Sequence, residues 1–108
     1  MYNAIDLLGK VVTLKTIKGD EIISKLVSVD EETNTLTLEY PKIVVVAGDT
    51  VALAPFALTA KADYVITETR QFLTVMESLE STVADYNELI AELRNFESRA
   101  DETLTEEA

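Results

Sequence analysis

Residues 19–38 read GDEIISKLVSVDEETNTLTL, and this stretch decides the fold. Within it, residues 21–29 are rich in apolar and β-branched side chains and follow a glycine that suits a tight turn. The polar run at residues 30–34 contains Asp and Asn side chains that can hydrogen-bond to nearby backbone in a second turn. In residues 35–40, polar and apolar side chains alternate with a period of two. The stretch therefore predicts two strands joined by a turn, with one face of the second strand buried.

Shorter apolar segments on both sides extend this pattern. A β-branched segment just before it predicts a hairpin partner for its first strand. Pro41 predicts a bend after the second strand, because proline cannot donate to a strand ladder. Gly48 suits the next turn, since glycine readily takes a positive φ. The sequence thus predicts one or two helical turns in residues 2–8, followed by a small barrel or sandwich of five short strands. The predicted strands are residues 10–17, 21–29, 35–46, 51–56 and 64–67.

From about Thr69 the spacing of apolar residues changes from two to alternating three and four. There is no proline or glycine from Phe56 to the end of the chain. This predicts one long amphipathic helix over residues 69–99. Residues 100–108 are acidic with little apolar surface and are predicted to be disordered. The predicted helix carries an apolar stripe for contact with a neighbouring subunit or a partner, formed by Phe72, Met76, Leu79, Val83, Tyr86, Ile90 and Leu93.

Composition limits the function. The chain has 108 residues, the length of one domain, and its net charge of -11 repels phosphate polymers and anionic lipids. It has no cysteine and no histidine, which excludes a thiolate zinc site, a cysteine nucleophile and a histidine base. We therefore expect no catalytic residue, no metal site and no cofactor. The sequence shows neither a signal-peptide pattern nor an apolar run long enough to span a membrane, which favours a cytoplasmic protein.

Eight residues of the opening stretch share one register with a known signature. They resemble the first signature of the Sm and Sm-like (LSm) family, in which a turn glycine, a bent strand and an Asp-x-x-x-Asn turn follow one another. The resemblance implies a short N-terminal helix and a five-strand bent β-barrel, here over residues 1–68, followed by the helix and the acidic tail. It also implies a closed homo-oligomeric ring. The eight residues are Gly19, Ile22, Ser24, Leu26, Asp30, Asn34, Leu36 and Leu38.

Several positions depart from the pattern of the RNA-binding members. Ser24 stands where the family usually has a glycine that lets the second strand bend. Glu32 stands where those members place a ring that stacks on a base, and a carboxylate repels phosphate instead. The second signature, a basic residue followed by glycine, has no match at Gly48 because Ala47 precedes it. Asn34 remains from the nucleotide-contacting set, but the interpretation that the sequence favours for it is a structural one, in which it holds the turn by hydrogen bonds to the backbone.

The sequence therefore favours a non-catalytic Sm-like ring-forming module whose partners are its own copies and, through the helix, another protein. The alternative is an Sm-like protein that binds single-stranded RNA, a partner that the net charge disfavours. The candidate RNA-contacting residues of that alternative are Asp30, Asn34, Lys10, Lys15, Lys18 and Lys25.

Overall fold

A computed structural model describes residues 4–61 and 63–107, with the side chains of the C-terminal helix up to Asn95. It is an antiparallel sheet between a short N-terminal 3-10 helix and a long C-terminal α-helix. The strands are β1 (Val11–Thr16), β2 (Glu21–Asp30), β3 (Thr35–Ala47), β4 (Thr50–Pro55), β5 (Tyr64–Glu68) and β6 (Phe72–Glu77). The helices are the 3-10 turns Ala4–Leu7 and Thr69–Gln71 and the α-helix α1 (Glu80–Glu107).

The sheet has five strand positions although it contains six strands. The order is β4, β3, β2, β1, β6, and β5 also pairs with β3. Strand β2 lies along one side of β3, so β4 and β5 share the other side, β5 beside residues 35–39 and β4 beside residues 42–47. The arrangement of a short helix, five strand positions and a bent sheet is the one that the sequence resemblance implies. The predicted fold class is confirmed.

A β-bulge bends the sheet where β2 crosses the middle of β3. The pairing register shifts between Ile23 and Lys25, and opposite this point Tyr40 has a φ of 49°. The buried hydroxyl of Ser24 lies 2.9 Å from the carbonyl oxygen of Glu39 and 3.1 Å from that of Lys25, and its one proton is shared between these two acceptors. Bulges sharpen the local twist of a strand. Tyr40, rather than a glycine at position 24, therefore takes the unusual backbone conformation, and a serine at position 24 is accommodated.

The bent sheet separates two apolar layers. The inner layer contains the alternating residues of β1 and β3 that face one another, among them Leu14, Leu36 and Leu38, all fully buried. Tyr40 lies on the opposite face, because its positive φ breaks the alternation. There it belongs to an outer layer in which α1 packs on the sheet. The outer layer comprises Val11, Ile23, Tyr40, Val44 and Leu53 of the sheet and Val83, Tyr86, Ile90 and Leu93 of α1.

The predicted start of the long helix at Thr69 is wrong. Residues 72–77 form the last strand, β6, paired with β1, and α1 begins at Glu80. The register of this pair shifts between Lys15 and Thr16, so that Thr74 and Phe72 face consecutive residues of β1. Phe72 and Val75 consequently both face the core. At the other end, α1 continues past the predicted end at Arg99 to Glu107, through most of the segment predicted to be disordered.

Candidate functional site

The turn between β2 and β3 is held by Asp30. Its carboxylate accepts hydrogen bonds from the backbone N–H groups of Glu32 at 3.0 Å and Thr33 at 3.3 Å. Asn34 then takes a left-handed conformation with a φ of 55°, which Asn tolerates better than most residues. The backbone carbonyl of Asn34 accepts a hydrogen bond from the backbone N–H of Thr69 at 2.9 Å. The turn is thereby fixed against the segment that joins β5 to β6.

An open cleft of about 750 Å³ lies between this turn and the start of β6. Asn34 lines one side of it, and Glu68, Arg70 and Phe72 line the other. The guanidinium of Arg70 forms an ion pair with the carboxylate of Glu68, and both side chains are well exposed. The cleft therefore offers an amide, a guanidinium and the edge of an apolar surface within one concave site.

Sequence analysis missed Arg70. The residue lies in the segment predicted to be the long helix, and the glycine that the second signature would require was expected at Gly48, which follows Ala47. The structure brings Arg70 next to Asn34, with Gln71 after it rather than glycine. A basic residue in the turn between the last two strands is the signal that could have located this side of the cleft.

The four candidate lysines do not join Asn34. None of them lines the cleft. Lys10 forms an ion pair with Glu77 at 3.7 Å, and Lys15 forms one with Glu21 at 3.8 Å. The two lysine and two glutamate side chains of these pairs are about half exposed. Lys18 lies in the β1–β2 turn, and Lys25 lies in β2 opposite Glu39. The lysines are therefore spread over the first hairpin, partly neutralised by neighbouring acids.

The predicted apolar stripe is divided among three environments. Phe72 lies in the inner layer, as part of β6. Met76, at the end of the same strand, and Leu79, just before α1, are both exposed. The remaining members, Val83, Tyr86, Ile90 and Leu93, face the outer side of the sheet. The interpretation of the stripe as one continuous helix face is therefore wrong.

Polar contacts fix α1 at the bend of the sheet. The Tyr86 hydroxyl donates to the Glu39 carbonyl and accepts from the N–H of Lys25 at 3.3 Å. Burial is the main cause that raises the pKa of Tyr86 to about 12. Arg94 donates to the largely buried carboxylate of Glu39 at 2.8 Å, and its guanidinium lies 5.7 Å from the centre of the Tyr40 ring. The helix therefore covers the strained bend.

Both ends of the sheet present unpaired strand edges among the described residues. On one end, β4 and β5 pair only with β3; on the other, β6 pairs only with β1. Each edge exposes apolar side chains, with Ile66 of β5 71% exposed and Leu73 of β6 64% exposed. Open strand edges are templates for pairing with another chain.

Among the side chains that the structure describes within residues 4–61 and 63–107, no cluster of acidic groups is arranged to hold a metal ion. In the same part of the chain, no helix is both long and apolar enough to cross a membrane.

No family model and no curated protein matches the sequence. Solved structures of similar shape include a heptameric archaeal Sm protein, 20% identical, matched over 69% of this chain and 94% of that chain with a TM-score of 0.49. The P. aerophilum SmAP1 heptamer is 19% identical over 73% of this chain and 99% of that chain, with a TM-score of 0.49. A chain of the NatC complex bound to CoA is 17% identical over 72% and 87%, with a TM-score of 0.47. The fold of this chain is defined by its own strand order and pairing.

Proposed function

We propose that the protein is a non-catalytic module that assembles into a closed homo-oligomeric ring. The observation that carries this proposal is the pair of unpaired, apolar strand edges at opposite ends of one bent sheet. The β4–β5 edge of one subunit pairs with the β6 edge of the next. Because the two edges differ, the contact between subunits is head-to-tail. When the rotation from each subunit to the next closes the assembly into a ring, no strand edge is left exposed.

Two features of the chain support a structural role over catalysis. The composition provides neither a cysteine nor a histidine. Burial raises the pKa of Tyr86, whose hydroxyl lies beneath α1 in contact with the backbone of the sheet. Such a group stabilises a helix on a sheet and is not placed to meet a substrate.

Light scattering on matched variants tests the ring. Ile66→Lys and Leu73→Lys place a charge on the β5 and β6 edges respectively. Leu58→Lys, in the exposed loop between β4 and β5, adds the same charge away from both. The wild type and Leu58→Lys are expected at a multiple of 11.9 kDa, and the two edge variants at 11.9 kDa. A wild-type monomer, or edge variants that keep the assembled mass, would exclude the ring.

A second candidate function is the binding of single-stranded RNA, which the meeting of Asn34 and Arg70 in one cleft favours. The amide can hydrogen-bond to a base edge and the guanidinium can stack on a base or pair with phosphate. Opposing this function are the net charge, the ion pair of Arg70 with Glu68, and the exposed Glu31 and Glu32 on the adjacent turn.

Short U-rich and A-rich RNA at low salt distinguishes the two functions. Asn34→Gly removes the amide but keeps the left-handed backbone, and Arg70→Gln removes the guanidinium. Lys61→Gln, in the β4–β5 loop, is the control for the loss of one positive charge. If the protein is a structural ring without an RNA site, any RNA binding is weak, and the two cleft variants bind the RNA no differently from the wild type. Micromolar or tighter binding that both cleft variants abolish and Lys61→Gln retains would establish RNA binding instead.

A further inference from the structure

A groove of about 640 Å³ lies on the outer face of the sheet beside the start of α1. Four apolar side chains that line it are exposed: Val46 by 72%, Val51 by 65%, Met76 by 43% and Leu79 by 75%. They come from β3, β4, β6 and the residue that precedes α1. Single exposed apolar residues are ordinary, but a contiguous exposed patch marks an interaction surface.

The groove exists because α1 covers only part of the outer face. The helix residues that pack on the sheet begin at Val83. The first three residues of α1 are Glu80, Ser81 and Thr82, which provide no apolar side chain to continue the contact. The sheet beyond this point is consequently left without a cover from its own chain.

Charge decides which occupant suits the groove. Glu21, Glu77 and Asp85 line it, and no lysine or arginine does among the described residues. A second copy docked groove to groove would bring these carboxylates against their own counterparts, in a chain of net charge -11. Like charges in contact disfavour such pairing, whereas lysines or arginines on a partner complement it.

Backbone chemistry decides the shape of the occupant. The groove lies on the face of the sheet, where side chains project and the backbone groups of β1, β2 and β3 are already paired with neighbouring strands. An added strand would find no free backbone partners there. A helix satisfies its own backbone hydrogen bonds and presents apolar side chains at intervals of three and four residues.

We propose that this groove binds a basic amphipathic helix of another protein. The apolar face of the partner helix lies against Val46, Val51, Met76 and Leu79, and its flanking lysines or arginines face Glu21, Glu77 and Asp85. The side chains of the site project from the face of the sheet, although Val51 and Met76 belong to the edge strands β4 and β6. The groove and the ring are therefore tested with different variants.

A labelled 18-residue helical peptide of leucine and lysine, with leucines on one face, serves as the probe for the full chain. Peptides with glutamate for lysine, and with the leucines scrambled, are the peptide controls. Leu79→Ser and Val46→Ser remove apolar contacts without changing the charge. Position 79 is the N-cap of α1, because the backbone carbonyl of Leu79 accepts a hydrogen bond from the N–H of Val83. Serine is a favoured residue at this position. Leu58→Ser removes an equally exposed apolar side chain from the β4–β5 loop.

The Leu/Lys peptide is expected to bind, and the two control peptides are not. Fluorescence anisotropy should give a Kd about tenfold higher for Leu79→Ser and Val46→Ser, and an unchanged Kd for Leu58→Ser. Asp85→Asn should raise the Kd and weaken its salt dependence, whereas Glu31→Gln, in the β2–β3 turn, should do neither.

Two results would overturn the proposal. Equal peptide affinity of Leu79→Ser, Val46→Ser and wild type would show that binding follows net charge alone. A fall in the light-scattering mass of Leu79→Ser and Val46→Ser would show that a second copy occupies the groove. The ring is tested separately by Ile66→Lys and Leu73→Lys, so the failure of one proposal is distinguishable from the failure of the other.

Discussion

At the scale of single residues, the hydroxyl of Tyr86 joins the helix to the bend of the sheet. It donates to the Glu39 carbonyl and accepts from the Lys25 N–H, in a buried position. Tyr86→Phe keeps the ring but leaves these backbone groups without that partner. We expect the free energy of unfolding to fall by about 1 kcal/mol, measured by urea denaturation. Tyr64→Phe, at an exposed ring, is the control and should leave the stability unchanged.

The pKa of the same hydroxyl predicts a pH dependence. This pKa is about 12 in the folded chain against 10.0 for an unperturbed tyrosine, so the folded state holds the proton more tightly than the unfolded state. The corresponding stability is fully present below pH 10 and is lost as the pH rises from 10 to 12, by an amount on the order of 2 kcal/mol. The urea midpoint of the wild type should therefore decline more steeply than that of Tyr86→Phe above pH 10. Parallel declines would contradict this assignment.

Asn34 illustrates how a backbone conformation can account for a residue that resembles a binding-site residue. Its φ of 55° suits Asn or Gly and penalises a residue with an ordinary Cβ. We expect Asn34→Ala to lower the free energy of unfolding by about 1 kcal/mol and Asn34→Gly to leave it almost unchanged. Thermal or urea unfolding of both variants checks this. A comparable loss in both would assign the stability to the side chain instead of the backbone.

At the scale of elements, α1 is the cover of the outer apolar layer. The contacts that its described residues make with the sheet lie between Val83 and Arg94. A chain ending at Ser78 keeps β6 but exposes the outer layer. Because each fully buried large apolar side chain contributes roughly 1.5–3 kcal/mol, this chain should be unfolded or aggregated. A chain ending at Asn95 keeps these contacts and should unfold within about 0.5 kcal/mol of the full chain by urea denaturation.

Residues 72–77 form strand β6 although the sequence predicts the start of a helix there, and this error shows what local sequence can and cannot predict. The alternation in residues 35–38 predicts β3 correctly, because a strand with one buried face has a period of two. In β6 the register shift near Phe72 places Phe72 and Val75 on the core side, three residues apart. The helix prediction rests instead on Phe72, Met76 and Leu79, whose spacing of four and three residues is typical of a helix and continues into the true spacing of α1. In the structure Met76 and Leu79 are exposed. Only the pairing with β1, which lies some 60 residues earlier, separates the two interpretations.

The difference between local patterns and long-range contacts also explains which part of the candidate site was predictable. Asp30 and Asn34 form one local turn, and their types and spacing identify it. Arg70 reaches the cleft because the chain between β5 and β6 folds back against Asn34. This long-range contact leaves no local pattern. The division of the apolar stripe likewise depends on where α1 meets the outer face of the sheet.

At the scale of the whole molecule, net charge sets how association responds to salt. Each chain carries -11, so closure of the proposed ring would bring like-charged subunits together. The Debye length falls from about 10 Å at 0.1 M salt to about 3 Å at 1 M, which weakens this repulsion. The protein concentration at half-assembly should therefore be lower in 300 mM than in 20 mM NaCl, measured by light scattering over a dilution series. RNA binding has the opposite dependence, because counterions compete for phosphate contacts.

A chain ending at Asn95 is the control for this salt effect. Residues 96–108 hold five acidic residues and Arg99, a net charge of -4, so their removal changes the net charge from -11 to -7. The strand edges are untouched, and the shortened chain should assemble with a smaller response to salt. An identical response in both chains would locate the repulsion within the sheet domain. Assembly that weakens with salt in both chains would indicate attraction between opposite charges at the subunit contact, and the apolar edges would then not be what joins the subunits.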